Sequence, residues 1–568
     1  MGRAQALDAF LECTLRTVSL EDVQLAAVSY EWGDTRKTEP IALNGHLVWV
    51  GQNAHAALRH IRQANTSQLV RLMGNIYSKA QPVYLWTGGQ DEHTTTFWRV
   101  AKKLRFLKDP NVNLADLDSE DGMFLRNLDD ERWKSIARVL RRSFWRRIWI
   151  LQEIVLAAAR EQGVVLFGQY HMPYAVFLKA VRMLRQVGSF ISMLYPSDQT
   201  PGAVQALEDG AIFRQHVIAL REYKEGKSCS LDILGANRYM HATNPKDRVY
   251  GLLALMRIPD IVPDYERPLE DIYRDITIRL IKHDVSMDHI GRGSGTAISN
   301  ANMSSWAIDW SSIGQVKNLY DDVLSLVHLD GFYDACGDAQ PLIRRDGRYL
   351  TVRGLRLFTI GPLKQFTCAR GRGDALCNLA EVQKWMLEQL RCRSTRPEEE
   401  FNDSFRRALL LDIAFGSEGN RRVRIGPLAN LASVKLQAPA ENYEAFWDLI
   451  DQAAAGHEPT EEDRDECASG VMRMASHLPD TKLSVGPGGE ICLLPPTAQE
   501  GDLIYIVAGC SVPFVLRLLP IRPRQYFMIG SAYVHGKMDG EAVTAASSIT
   551  INDEVRDEDW PFERIVLV

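Results

Sequence analysis

Short apolar runs alternate with amphipathic segments through the first third of the chain, and their order predicts a parallel sheet covered by helices. QLAAVSY (24–30) is apolar and runs into the turn-rich EWGDTRKTEP, as a buried strand does when its C-terminal end opens into a loop. IALNGHLVWVG (41–51) sets Asn-Gly between two β-prone runs, a hairpin signal. NAHAALRHIRQ (53–63) reads as a helix with Asn53 as N-cap, and LVRLMGNIYSKA (69–80) as a second one. PVYLWTGG (82–89) is a strand closed by two glycines. The clearest helical periodicity runs over 131–160, where Trp133, Ile136, Leu140, Phe144, Ile148, Leu151 and Val155 recur at three- and four-residue steps. VVLFG (164–168) follows as another apolar strand.

Beyond 170 the pattern is helical and irregular, with a buried helix expected over 247–256 and an amphipathic one over 269–281. The last third mixes helices with β-rich stretches, notably 349–357, 502–510, 513–519 and 525–536. Polar stretches at 88–96, 396–403 and 458–466 read as linkers. The resulting division is a lead-in over 1–23, an α/β domain over 24–170, a mostly helical region over 171–345 and a mixed α+β region over 346–568. A chain of 568 residues exceeds what one core usually organises, which agrees with several domains.

Composition excludes more than it identifies. With 46% apolar and 24% charged residues the chain is ordinary globular material, and a net charge of −6 leaves no footprint for nucleic acid or an anionic membrane. Arg138, Arg141, Arg142, Arg146 and Arg147 cluster, and their amphipathic context reads as a solvated helix face. Nine cysteines, none in a CxxC pair, speak for reduced thiols rather than disulfides or a zinc ribbon. The N-terminus shows no secretory signal, position 6 is Ala where myristoylation wants Ser or Thr, and no apolar stretch suits a bilayer span. A cytoplasmic chain with no membrane anchor is expected.

Several residues invite a chemical reading and admit a plainer one. Asp247, Arg248 and Tyr250 follow Asn244-Pro245, which reads as helix capping. His535, Asp539 and Glu541 lie in a Gly-rich turn without a second histidine, so a solvated loop is preferred to a metal site. Cys510 and Ser511 lack a GxSxG elbow, and no P-loop is present.

AVSYEWGD (27–34), IALNG (41–45), NAHAALRHIR (53–62), IYSKAQPVYLWTG (76–88) and FWRRIWILQEIVLA (144–157) occur in an order that resembles the fungal heterokaryon-incompatibility (HET) domain. ATNPKDRVYGLLAL (242–255), PDYERPLEDIYRD (263–275), SWAIDWS (305–311), GDLIYIVAGCSVPFVLR (501–517) and YFMIGSAYVHGKMDGEA (526–542) resemble the C-terminal region that often accompanies it. A W-I-D-A-x-C-I-N-Q-like block of that family, which would supply a central strand, is missing between HIRQANTSQ and LVRLMGNIY. A neighbouring segment substitutes for it, or the domain is degenerate, or the coding sequence is mis-joined. The resemblance implies protein partners in self/non-self recognition, self-association through the HET domain, and a role in programmed cell death.

The HET family looks like a divergent relative of TIR domains, which implies a flavodoxin-like parallel sheet. Some TIR domains cleave nicotinamide from NAD with one glutamate of a W-x-x-x-E helix motif, and Trp149-Ile150-Leu151-Gln152-Glu153 has that shape. No cofactor is implied, NAD entering only as a substrate. The cationic nicotinamide needs no general acid to depart, and one carboxylate, here Glu153, can stabilise the charge that develops on the ribose. Ser29, Tyr30, Trp32, Gly33 and Asp34, at the tip of the first strand, would form the pocket wall with Trp149. The plain alternatives are a Glu153 paired with Arg146, Arg147 or Arg160 at the surface, a Trp145 that is only a core aromatic, and a Ser29-to-Asp34 segment that merely ends a strand and caps a turn. A non-catalytic interaction scaffold is the competing function.

Overall fold

In a computed structural model the described residues are 10–14, 27–31, 34, 36–61, 77–104, 128–194, 201–226, 240–256, 261–284, 286–292, 302–311, 333–365, 372–415, 422–424, 447–448, 450–452, 460, 481–520, 524–548 and 561–568. The chain is α/β and divides into two units, Met1–Tyr265 and Glu266–Val568, so the expected helical region over 171–345 is shared between them.

In the first unit, strands β1 (Glu12–Cys13), β3 (Thr38–Leu43) and β4 (His46–Gly51) form a small sheet. The β3–β4 hairpin turns on Asn44 and Gly45, whose φ angles of 52° and 81° are the pair of positive values that a two-residue hairpin loop requires. The principal sheet has the order β2-β5-β6-β7, formed by Ala27–Tyr30, Val83–Trp86, Gly163–Phe167 and Tyr170–Pro173. Its first three strands are parallel and β7 returns antiparallel. β2 pairs directly with β5 over all four residues. Of the helix expected over 69–80, residues 69–76 lie outside the described residues and 77–79 are helical.

Alternation along β2 and β5 gives the sheet two different faces. Ser29, Val83 and Leu85 are fully buried on one. Val28, Tyr30, Tyr84 and Trp86 pack with Ala57 of helix α1 (Gln52–Ile61) on the other. That helix starts one residue before Asn53, which lies in its first turn and is not its cap.

Over 131–160 the structure departs from the single helix that the periodicity predicts. Helix α3 (Asp130–Leu140) stops at Arg141, a 3-10 turn spans Ser143–Arg146, and helix α4 (Ile148–Ala158) restarts after Arg147, whose ψ of 134° is extended. The break turns three of the arginines partly inward. Arg141 and Arg146 converge on buried Asp209 at 3.0 and 3.2 Å; Arg138 and Arg141 keep the exposed position expected of all five, whereas Arg142, Arg146 and Arg147 are half-buried. Trp145 stacks on Phe177 at 4.8 Å within a wholly buried aromatic cluster, so it is a core residue. Gly88 to Thr96 is no linker, because helix α2 (Glu92–Leu104) starts inside it and Asp91 caps Thr94 N–H at 2.6 Å.

In the second unit, β9 (Tyr349–Thr359), β15 (Leu503–Val507), β16 (Phe514–Leu518), β17 (Gln525–Ser531) and β19 (Glu563–Leu567) pair in succession, and β15 returns to β9. The result is a closed five-stranded barrel, which leaves its members no free edge. β8 (Arg344–Asp346) pairs antiparallel with the start of β9, and the strands Lys364–Gln365, Lys482–Val485, Ile491–Leu494 and Tyr533–Val534 form a separate sheet. The acidic 396–403 stretch, expected to be a linker, opens a helix over Glu398–Leu409, where Glu398, Glu399 and Glu400 suit the positive end of the helix dipole and Phe401 is buried. The helix expected over 247–256 is two short pieces, Asp247–Tyr250 and Leu253–Met256. No helix among the described residues is long and apolar enough to cross a membrane.

Candidate functional site

β2, β5 and β6 run parallel, so their C-terminal ends lie along one rim of the sheet. Helix α4 brings Glu153 beneath that rim, 2% exposed, where its Oε2 accepts the Ser29 hydroxyl proton. Ser29 reaches it because odd-numbered residues of β2 point to the buried face.

Backbone direction explains the remaining partners. Ala27 N–H donates to the Pro82 carbonyl at 3.1 Å, so Ala27 and Ser29 direct their peptide groups at β5 while Val28 and Tyr30 direct theirs at the opposite edge. Both edge carbonyls are taken by side chains. Tyr77 Oη donates to Val28 O at 3.3 Å, and Arg147 Nη1 donates to Tyr30 O. The Tyr77 hydroxyl also lies within hydrogen-bonding reach of the Glu153 carboxylate, and the Arg147 charge acts on it.

Burial pushes the Glu153 carboxyl above its usual range, against the opposing effects of the Arg147 charge and the bonds from Ser29 and Tyr77. The Tyr77 phenol is held well above its usual value by burial first and the Glu153 charge second. Burial raises Tyr30 too, while Arg147 lowers it. Loops around the centre are fastened to the 141–147 turn. Ser143 Oγ donates to the Glu31 carboxylate, and Arg142 holds Thr87 Oγ1 at 3.2 Å, Gly89 O at 3.2 Å, Asp91 Oδ2 at 3.1 Å and Thr94 Oγ1 at 2.6 Å.

The residues expected to form one pocket wall are thus separated. Ser29 joins Glu153, whereas Tyr30, next in the strand, places its ring on the opposite face with Ala57 and Trp86. Asp34 is bound by Arg36 at 3.0 Å and caps the Arg36 N–H at 3.1 Å, which lowers its carboxyl, so it acts as a turn residue. Trp32 and Gly33 lie outside the described residues. Trp149, half-buried one turn before Glu153, has its ring against Gly251, where an added Cβ would come within 3.4 Å of Cδ2. Surface pairing does not describe Glu153: Arg146 is bound to Asp209 and Arg160 to the Ser78 carbonyl. Tyr77 went unrecognised in the sequence because nothing in IYSKAQP marks a side chain that returns to the first strand.

Elsewhere the plainer readings describe the contacts. Asn244 Oδ1 caps Lys246 N–H at 3.0 Å, and Asp247 accepts from the Tyr265 hydroxyl at 2.6 Å. Ser511 Oγ donates to Asp288 at 2.9 Å, and burial holds the Cys510 thiol well above its usual value. His535 bonds the Tyr533 hydroxyl at 3.0 Å, and no group of three or more metal-ligating side chains occurs among the described residues.

Comparison with known proteins adds family context. Residues 63–153 match the profile of the heterokaryon incompatibility protein (HET) family, a stretch that includes Tyr77, Arg142, Arg147 and Glu153. Residues 461–549 match the Het-6 β-barrel domain, which takes in β15, β16 and β17 of the closed barrel. No solved structure matches the chain. Across 92% of its length, and 90% of the relative's, the chain is similar, at 22% identity, to heterokaryon incompatibility protein 6, OR allele, of Neurospora crassa.

Proposed function

We propose that the chain acts in fungal heterokaryon incompatibility as a cytoplasmic self/non-self recognition protein, and that its N-terminal unit is a TIR-like effector domain that consumes NAD through Glu153. The recognition role is supported by likeness to an incompatibility protein over nearly the whole chain. The observation that carries the enzymatic reading is Glu153 itself, a carboxylate sealed from water at the tips of parallel strands, where open α/β sheets bind ligands. In the step envisaged, the bond between ribose C1′ and the nicotinamide nitrogen breaks and its electron pair leaves with the ring, which becomes neutral. Glu153 offsets the positive charge left on the ribose, an effect strengthened by its dry surroundings. Water then adds at C1′ and releases a proton, giving ADP-ribose. Ser29 and the ring of Trp149, the expected pocket residues nearest Glu153, would border the bound nucleotide. Partners are other incompatibility proteins, with self-association through the N-terminal unit; loss of NAD would then drive programmed cell death and so enforce allorecognition.

The test is NAD loss with purified full-length protein and its Glu153→Gln variant. Loss that falls at least 100-fold in the variant supports the enzyme; equal loss in both removes Glu153 from the mechanism.

A second reading, a non-catalytic interaction scaffold, is favoured by one observation: Glu153 is 2% exposed and bonded inside the protein. Overexpression in a fungal host separates the two. Growth arrest abolished by Glu153→Gln supports the effector, and arrest unchanged by it supports the scaffold.

A further inference from the structure

Three consecutive residues of β2 each hold one member of the Glu153 cluster. The Val28 carbonyl takes Tyr77, the Ser29 hydroxyl takes Glu153 and the Tyr30 carbonyl takes Arg147. Tyr77 differs from the other two. Ser29 gives its one hydroxyl proton to Glu153, and a guanidinium has five N–H groups to distribute. A phenol has one proton, and here two acceptors lie within reach of it, Val28 O at 3.3 Å and the Glu153 carboxylate.

We propose that Tyr77 is a positioning residue for Glu153, whose single hydroxyl proton goes to the Val28 carbonyl when the carboxyl is protonated and to the carboxylate when it is charged. Protonated Glu153 can donate to the phenol oxygen, which leaves the phenol proton for Val28. Ionised Glu153 only accepts, so the phenol proton turns to it and the strand-edge carbonyl is released. The ionisation of Glu153 is thereby coupled to how the 77–79 helical turn is tied to β2. The other titratable or charged groups acting on the cluster are Arg147, directly, and Tyr30, through Tyr77. This deepens the reading of Glu153 as the acting carboxylate and rests on it only for its catalytic consequence.

The test is infrared titration of the Glu153 carboxyl in the full-length protein without NAD, identified as the band absent from Glu153→Gln. Tyr77→Phe removes one oxygen and one donor to the charged form, so the midpoint should rise by about one pH unit, tenfold in proton affinity. Incorporation of 3-fluorotyrosine at position 77, a stronger donor on the same ring, should lower it, which keeps the idea testable if the Phe variant folds poorly. Tyr170→Phe, three strands along the sheet, should leave it unchanged. A midpoint that ignores both changes at position 77 overturns the proposal. With NAD present, Tyr77→Phe should lower kcat at least fivefold with KM held within twofold; an equal loss through KM alone would contradict a positioning role. If the midpoints shift as expected while the wild type consumes no NAD, the coupling stands and the enzymatic reading falls.

Discussion

Asp502 of the second unit and Glu153 of the first are equally buried, at 3% and 2% exposure, yet they are surrounded differently. Asp502 receives Arg517 through Nε at 2.7 Å and Nη2 at 2.9 Å, the two-pronged geometry that offsets the loss of water around a carboxylate. Glu153 receives the Ser29 hydroxyl and lies near Tyr77, while Arg147 acts from beyond hydrogen bonds and spends its own on the Tyr30 carbonyl. The first arrangement ties the start of β15 to β16, whereas the second leaves burial in control and keeps the carboxyl raised. A buried carboxyl held raised in this way is what the proposed use of Glu153 calls for.

Introducing a carboxylate into the barrel should have the largest effect. Ile504 is 0% exposed among Val515, Ile529 and Ala532, with no cation in that cluster, and Ile504→Asp should cost about 4 kcal/mol or more, or prevent folding. A loss under about 1 kcal/mol in chemical denaturation would show that the barrel core admits water. Arg517→Ala comes next, stranding Asp502 in place, with an expected loss of about 3 kcal/mol. A negligible loss would mean that the pair contributes nothing.

An effect that is absent at neutral pH and grows only in acid belongs to the first unit. His216, 0% exposed, bonds the Tyr174 hydroxyl at 2.9 Å, and burial lowers its pKa to about 3. Its neutral form is the folded one, so stability is complete above pH 6.5 and falls as pH drops toward 3, by about 1.4 kcal/mol per pH unit. Replacing the pair together, by His216→Phe with Tyr174→Phe, leaves no orphaned hydroxyl and should remove that share of the acid sensitivity. An unchanged stability profile between pH 4 and 6.5 would assign the sensitivity to other groups.

The elements were more legible in the sequence than their assembly. Apolar runs located β2, β5 and β6, and Asn44-Gly45 located the hairpin, because these signals are local. The break at 141–147 was hidden, since Leu140, Phe144 and Ile148 keep helical phase across it; it is set by Trp145 docking on Phe177. Two stretches read as linkers are helix starts, where polarity reflects capping and the helix dipole rather than flexibility. Barrel closure through β15 and β9 joins segments far apart in the chain, Leu503 lying opposite Thr359, which no local pattern announces. Within the site, Ser29 and Glu153 were legible and do meet. The division of Ser29 from Tyr30 follows from strand alternation, and the role of Tyr77 required coordinates.

Thermal unfolding of Glu153→Gln against the wild type, from pH 4 to pH 8, tests most directly whether this carboxylate is kept for use. A carboxyl raised in the fold binds protons that the unfolded chain has released, so its share of stability declines as pH climbs above about 4.5, the ordinary glutamate range. The Glu153→Gln variant carries no such penalty, so its Tm should exceed that of the wild type at pH 8, by a margin that shrinks toward pH 4. A variant that melts below the wild type across the whole range would make Glu153 a structural residue and contradict that role.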